Sequence, residues 1–491
     1  MDDIMTGEKY LGSWSNDMKH GCGLIVTLDG IYYEGVFVQD VLTGHGVMVF
    51  EDGTHYEGDF KSAGIFGGKG TLTFRSGDKL EGNISGAWNE GVKVNAVLHI
   101  NKAIGSSETN AKPTSFGKLC VPPDQKWRAI FRQCYQQLGI SEPNIKSVYS
   151  NGDKSGETQK IWQNVAVIIS KSHQKTLEKR QGSPSEGLDK DKAKLNDSLN
   201  KIPNFGRGKL NLVSYTEVHE YLMKAFESPE HPLGALLVEI AAVYTATYGG
   251  VRVHPLLLSH AVAELRSITS RIYELVTLFF PTLPRGGKEC VLGSDEENNS
   301  KVISAAAILH PILLPRVHSA LFVLYALHNK KEDDAYWERL IKWNKQPDIT
   351  LMAFLDIDQK FWGTSRKLSL GGNALTKECE PFFTEAIETL QQLKTTFSPL
   401  EKLLVIRNTF EQMTQTVQKQ LGETYLWTMD ELFPVFNFVV VRASVLQLGS
   451  EIHFIEDFME PYLENGELGI MFTTLKACYY QILQEKMSMA D

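Results

Sequence analysis

No two cysteines stand at the spacing of a metal knuckle or a redox pair. Cys22, Cys120, Cys134, Cys290, Cys379 and Cys478 are scattered, and none forms a CxxC. That excludes the common zinc and thiol–disulfide motifs, and unpaired, mostly apolar-flanked cysteines suit a reducing compartment. Excess positive charge is missing too: 50 Lys and Arg against 59 Asp and Glu leave a formal charge of -9. Such a balance offers no footprint for nucleic acid. His231, His254, His310 and His318 stand apart, with no HExxH, so no metal site is expected. There is no GxxxxGK[ST]; Gly67-Gly68-Lys69-Gly70-Thr71 lies within a repeat rather than in a phosphate loop. No kinase lysine context, DFG or nucleophile–base constellation is visible, and no cofactor is expected. The opening Met1-Asp2-Asp3 is acidic, unlike a secretory leader. No run reaches about 18 apolar residues; the best candidate, Leu432 to Leu448, carries Arg442. The expectation is a cytosolic protein whose membrane contact is indirect.

What is present is ordinary for globular protein, 42% hydrophobic and 22% charged residues. The length, 491 residues, allows two to four domains. A repeat of 23 or 24 residues opens the chain, marked by Tyr10-Leu11-Gly12, Tyr33-Glu34-Gly35, Tyr56-Glu57-Gly58 and Leu80-Glu81-Gly82. Gly21-Cys22-Gly23, Gly44-His45-Gly46 and Gly68-Lys69-Gly70 recur inside the units, and Asp29-Gly30, Asp52-Gly53 and Ser76-Gly77 precede the next aromatic. Alternating stretches such as Gly46 to Phe50 read as strands, and Asp-Gly pairs as hairpin turns. Each unit is one hairpin packing on its neighbours, an antiparallel β solenoid over residues 1–100. Residues 101–123, with Pro122-Pro123, read as a linker. The composition change there predicts an array that folds apart from the rest of the chain.

From residue 124 to 344 the pattern is helical. Trp127, Ile130, Phe131, Cys134, Tyr135 and Leu138 form one face. Ile161, Val165, Ile168 and Ile169 mark another helix. Lys171 to Lys201 has almost no large apolar residue and reads as a mobile loop. Packed helices come next, interrupted by the polar, flexible-looking Arg285 to Lys301. Asp356 and Asp358 flank Ile357, and a solvated helix face is their default reading.

The C-terminal stretch is the most informative. Ser398-Pro399-Leu400-Glu401 is a helix start, with serine to cap, proline at the first position and Glu401 to reach back. Thr428 and Glu431 repeat the capping box before the apolar run Leu432 to Leu448. Pro434 lacks an amide, so a kink or restart is expected there. Asp430 sits at this helix start, where the dipole alone favours a carboxylate.

Two resemblances give these patterns names. The N-terminal units resemble MORN (membrane occupation and recognition nexus) repeats. The family name implies lipid binding, yet residues 1–100 hold fourteen Asp and Glu against seven Lys and Arg, and anionic lipid requires clustered basic residues. A spacer or docking platform is therefore expected. Unpaired sheet ends imply a homo-oligomer, and the chain reads as a short form or fragment of a longer array. Asp430-Glu431-Leu432-Phe433-Pro434-Val435, Phe438-Val439-Val440, His453-Phe454-Ile455, Gly466-Glu467 and Phe472-Thr473-Thr474-Leu475 resemble the vacuolar-protein-sorting-nine (VPS-nine) domain, placed here over 345–488. The resemblance implies a guanine nucleotide exchange factor for Rab-five-type small GTPases, peripheral on early endosomes, with no covalent chemistry and possible contact with other small-GTPase regulators. It implies that Asp430 enters the GTPase nucleotide site, competing with the phosphates for a phosphate-loop lysine, with Pro434 beside it. Thr473 matches a polar contact position. Ile470 stands where most members carry a tyrosine that contacts the GTPase, and Ile470 and Met471 are expected to pack on the switch region. The fold class is α+β multidomain: a β solenoid, then an all-α region ending in the helical VPS-nine domain. A noncatalytic endosomal scaffold is the alternative.

Overall fold

A computed structural model describes residues 2–3, 8–27, 30–50, 53–62, 65–74, 76–89, 92–104, 127–141, 155–180, 199, 210–250, 253–284, 290–292, 301–362, 383–422 and 425–484. The chain divides into two compact units, Met1–Leu324 and Tyr325–Asp491.

The first unit opens with nine strands: β1 (Asp2–Asp3), β2 (Glu8–Ser15), β3 (Met18–Thr27), β4 (Tyr32–Val38), β5 (Val41–Val49), β6 (His55–Ser62), β7 (Ile65–Thr73), β8 (Lys79–Asn89) and β9 (Val92–Ile104). They form one antiparallel sheet in chain order. The glycines of the repeat line up across it: Gly12 pairs Gly23, then Gly35, Gly46, Gly58, Gly70 and Gly82 follow strand by strand. The reason is steric. Tyr10 lies over Gly12 and Gly23, and Tyr56 over Gly58 and Gly70; a Cβ on Gly23 or Gly70 would stand 2.6 or 2.5 Å from the ring. Each hydroxyl then donates to a carbonyl three residues on, Tyr10 to Ser13 (2.9 Å) and Tyr56 to Asp59 (3.1 Å). Repeated Tyr-x-Gly is thus an aromatic laid along its own strand over a glycine row.

Turns at Gly30, Gly53 and Gly77, all with positive φ, join successive units. Turns inside the units use Asn16-Asp17 and Gln39-Asp40, both with positive φ at both residues, the requirement of the tight hairpin turn that matches strand twist. The sheet continues to Ile104, so the linker expected from residue 101 begins later; alternating apolar residues in Val92–Ile104 continue the pairing that the degenerate glycine pattern hides.

The helices of this unit are α1 (Arg128–Gln137), α2 (Ser155–Arg180), α3 (Leu212–Glu227), α4 (Pro232–Tyr248), α5 (Leu257–Phe279) and α6 (Ala305–His328). Two expectations are corrected. Residues 171–180 belong to α2, because Lys, Glu and Gln are good helix formers and an existing helix is extended cheaply; residues 181–198, 200 and 201 of the expected loop lie outside the described residues. Both ends of the polar Arg285 to Lys301 stretch pair as a short antiparallel ribbon, β10 (Cys290–Leu292) with β11 (Lys301–Ile303). Among the described residues one helix, α6, is long and apolar enough to cross a membrane by length and composition. Half of it is buried, and Arg316 within it donates to the Phe226 carbonyl at 3.4 Å.

The repeat array is not separate from these helices; both belong to the first unit. Lys9, buried in the sheet, donates to the Gly249 carbonyl at the C-terminus of α4 (2.8 Å), a favourable place for a cation. The Tyr32 and His254 rings lie 5.5 Å apart.

The histidines act within the fold. His231 caps α4: its Nδ1 accepts from the Leu233 amide (3.1 Å), with Pro232 at the first helical position. Burial pushes its pKa down to about 3. His254 and His310 fall to about 4, both through burial and His310 also through Arg266. The unfolded chain takes up these protons near pH 6.5. Between that pH and the folded values it holds more protons than the native state, so stability falls as pH drops, by about 1.4 kcal/mol per pH unit for each histidine. Melting curves at pH 7 and pH 5 should show a smaller acid-induced loss for His231→Asn, which retains a capping side chain, than for wild type. Identical losses would mean that His231 does not carry the effect.

Candidate functional site

The second unit contains the end of α6 from Tyr325, then α7 (Lys330–Asn344), α8 (Asp348–Phe354), a short 3-10 turn (Gln359–Phe361), α9 (Thr384–Gln391), α10 (Pro399–Leu421), α11 (Met429–Ala443), α12 (Leu448–Phe458), α13 (Pro461–Glu464) and α14 (Glu467–Gln484). Tyr336, Leu340 and Trp343 of α7 are part of its core, so the unit takes in residues ahead of the 345–488 span read for the VPS-nine domain. Val435 to Val441 of α11 runs through the centre of that core, against Leu403, Ile406 and Phe410 of α10 and Phe472, Leu475 and Tyr479 of α14. Phe410 and Phe436 stack at 4.3 Å. Complete burial of each such side chain contributes about 1.5–3 kcal/mol, so α11 is held by its middle and C-terminal half while its N-terminus reaches solvent.

The predicted cap of α10 is present: the Ser398 amide donates to Glu401 Oε2 (3.1 Å), and the Glu401 amide donates to Ser398 Oγ (3.2 Å). At α11 the Thr428 amide (3.2 Å) and hydroxyl (2.9 Å) both donate to Glu431 Oε2. The helix does not restart at Pro434 but runs unbroken through it. Proline in the second turn removes only the amide that would have reached the Asp430 carbonyl, and that carbonyl sits at the solvent end. Nor is Leu432 to Leu448 one helix. Ser444 adopts a left-handed conformation (φ 50°), and α12 departs at 114° from α11. Arg442 anchors the bend, donating to the carbonyls of Asn344 and Gln346 (both 2.7 Å) and pairing with Asp348 (2.6 Å).

Asp430 is exposed and its side chain has no hydrogen bond or ion pair among the described residues. Its neighbour is the reverse. Glu431 pairs with Lys360, which holds its carboxyl down at about 2. Lys360 lies 3.6 Å from Asp358 and over the rings of Phe361 (4.8 Å) and Tyr425 (5.6 Å). Phe361 stacks on Trp427 at 5.1 Å, and the Trp427 indole donates to Thr414 Oγ1 (2.9 Å). This cluster sets the path of residues 425–428 into α11. Sequence reading missed Lys360 and the aromatic trio; the signal was their density in Phe361-Trp362 and Tyr425-Leu426-Trp427. Asp356 and Asp358 do not form the helix face expected of them: α8 ends at Phe354, Asp356 has a positive φ (58°), and Asp358 caps the 3-10 turn by accepting from the Lys360 amide (3.0 Å).

Ile470, Met471 and Thr473 lie in the first two turns of α14 rather than in a loop before it; the Ile470 amide already donates to the Gly466 carbonyl (3.2 Å). Ile470 is 61% exposed, while Met471, expected to pack on the partner, packs on the core. The Thr473 hydroxyl donates to the Gly469 carbonyl (2.9 Å), leaving its lone pairs outward. α14 packs with α11 in one core, and Asn437 donates to Gln481 (2.7 Å). No hydrogen bond among the described residues joins Asp430 or Pro434 to Ile470, Met471 or Thr473. The first pair is a helix-start acid and the proline that offers its carbonyl no amide, the second set an apolar and hydroxyl surface. Leu426 and Met429 add further exposed apolar area beside Asp430, at 86% and 57%.

The unit also holds a buried ion pair. Lys402 of α10 meets Glu451 of α12 at 2.7 Å, their side chains 0% and 5% exposed. Lys402 also donates to the Leu393 carbonyl (2.7 Å). Asp333 of α7 caps α12, accepting from the Gly449 amide (2.9 Å) and the Ser450 hydroxyl (2.6 Å). Burial raises the Asp333 and Glu451 carboxyls and lowers the Lys402 ammonium, opposed by their partners.

Comparison with known proteins matches this architecture part by part. Residues 10–30, 33–55 and 56–79 match the MORN repeat, 148–322 the helical array domain of alsin, and 383–487 the Vacuolar sorting protein 9 (VPS9) domain. The chain is thus a MORN-repeat protein with a helical array and a C-terminal VPS9 domain. In that order of parts it corresponds to the C-terminal region of the alsins. It is 43% identical to alsin of Homo sapiens over 99% of its own length and 30% of alsin's, and likewise to alsin of Mus musculus. ALS2 C-terminal-like protein of Mus musculus is 28% identical over 86% of this chain and 42% of its own. The chain therefore spans less than a third of the alsins it matches.

Proposed function

We propose that the second unit is a guanine nucleotide exchange factor for a Rab-five-type small GTPase, acting in endosomal membrane traffic. The observation that supports it most is Asp430: exposed, unpaired among the described residues, and carried on a helix whose far half is locked in the core of a VPS9 domain. A GTPase holds its nucleotide through Mg2+ and a phosphate-loop lysine. A carboxylate offered to that lysine competes with the phosphates. By linkage, whatever binds the nucleotide-free GTPase tightly weakens its nucleotide by the same factor. Ile470, Leu426 and Met429 offer apolar contact for the partner, and Thr473 a polar one. No bond in the protein is made or broken.

Release of labelled GDP from a panel of purified Rab GTPases tests this. Acceleration for Rab-five-type members supports it, and acceleration for none overturns it. Ile470 favours a second reading, a scaffold that binds the GTPase without releasing its nucleotide, because an aliphatic side chain replaces the tyrosine common in such domains. Tight binding without release would select it. The sheet, open at its ends, is proposed to drive self-association, and the GTPase to bring the protein to early endosomes.

A further inference from the structure

We infer that Lys360, which lies outside the VPS9-matched residues, is a positioning residue that sorts the two carboxylates at the start of α11, committing Glu431 to the cap and keeping Asp430 free for the partner. This rests on the exchange reading above. Asp430 and Glu431 are adjacent, both in the first turn, and both favoured there by the same helix dipole. The capping box draws Glu431 toward Thr428, but its other oxygen is still able to meet an incoming cation, and the two carboxylates present different geometries. The structure removes the ambiguity. Glu431 Oε2 accepts from the Thr428 amide and hydroxyl, and Oε1 takes the Lys360 ammonium. Both oxygens are spent.

Lys360 is itself held in place. It follows Asp358, which accepts its amide, and its ammonium lies between the Phe361 and Tyr425 rings. Cation–π contacts of this kind orient a lysine that would otherwise sample many rotamers. Phe361 is tied through Trp427 to Thr414 of α10. The ammonium therefore has a fixed seat that faces Glu431. The same seat has a second effect. A lysine freed from Glu431 is an internal mimic of the GTPase lysine and a competitor for Asp430. Pairing it with Glu431 withdraws that competitor.

The test is exchange kinetics at varied GTPase concentration, with thermal melting of each variant. Lys360→Met is expected to lower kcat about tenfold, since misplacing a reacting group by about 1 Å can cost about 100-fold. KM should hold, because the apolar contacts of Ile470 and Leu426 are untouched. Lys360→Arg should restore most of the rate. Glu431→Gln should also be slow, and adding Lys360→Met to it should recover part of the loss by removing the freed lysine. A fall in melting temperature shared by Lys360→Met and Lys360→Arg, with no rescue, would show a structural contact and overturn the inference. So would a wild-type rate in Lys360→Met when Asp430→Ala is slow; that result leaves the exchange reading standing. A wild-type protein that accelerates no GTPase overturns both.

Discussion

Asp430→Ala is expected to slow catalysed GDP release about ten- to hundredfold while leaving the fold intact. The two halves of that expectation come from different magnitudes. An exposed carboxylate in a first helical turn contributes only about 0.3–1 kcal/mol to helix stability. Asp430 has no partner to lose among the described residues, and the cap is closed by Glu431 instead. The melting temperature should therefore move by a degree or so. In the proposed complex the same carboxylate would make a charge-assisted contact worth about 1.5–3 kcal/mol, and each 1.4 kcal/mol is about tenfold in rate. Side-by-side release assays and melts of wild type and Asp430→Ala measure both. A folded mutant with the wild-type rate would reduce Asp430 to an ordinary helix-start acid. Pro434→Ala supplies a useful contrast. It restores the amide that would bond the Asp430 carbonyl, so slower exchange with equal or higher stability is expected.

The largest effect on stability is expected at Lys402. Lys402→Met should destabilise the VPS9 unit by about 3–5 kcal/mol, because it leaves Glu451 buried without its counter-ion. The neighbourhood sharpens the cost. Glu451 already feels the charge of Asp333, which burial and its own role as a cap hold in place. The Leu393 carbonyl also loses its donor. The paired replacement Lys402→Met with Glu451→Leu should regain most of the loss, since a buried ion pair is often no better than a well-packed apolar one. Denaturant unfolding of the single and double variants decides. If the single variant unfolds within about 1 kcal/mol of wild type, the pair is dispensable; if the double is no better than the single, the Leu393 contact or packing dominates rather than the orphaned charge.

Much of this was written in local pattern. The hairpin array follows from Tyr-x-Gly and Asp-Gly spacing, because each strand pairs with the next in sequence and short-range chemistry suffices. The cap at Ser398 was equally legible, as was the position of Asp430 at a helix start. Boundaries fared worse where the deciding contact is remote. The bend after Ala443 is set by Arg442 reaching Asn344, Gln346 and Asp348, about a hundred residues away in sequence, so an apolar run that reads as one helix became two. The place of α7 depends on Tyr336, Leu340 and Trp343 meeting α11 and α14. Lys9 is an ordinary strand lysine by sequence, and only the carbonyl of Gly249 shows why it is buried.

By itself, then, the sequence determined the repeat, its turns and the helix starts, which rest on neighbours within a few positions; the roles proposed for Asp430, Pro434 and Ile470 rest on the family resemblance. The tertiary structure decided which of two adjacent carboxylates is free. The dipole favours both Asp430 and Glu431 alike; the capping box draws Glu431 back to Thr428, and Lys360, from outside the VPS9-matched residues, takes its other oxygen. It also decided that Lys402 and Glu451 are buried together, since charge pairing across two helices leaves no trace in the periodicity of either one.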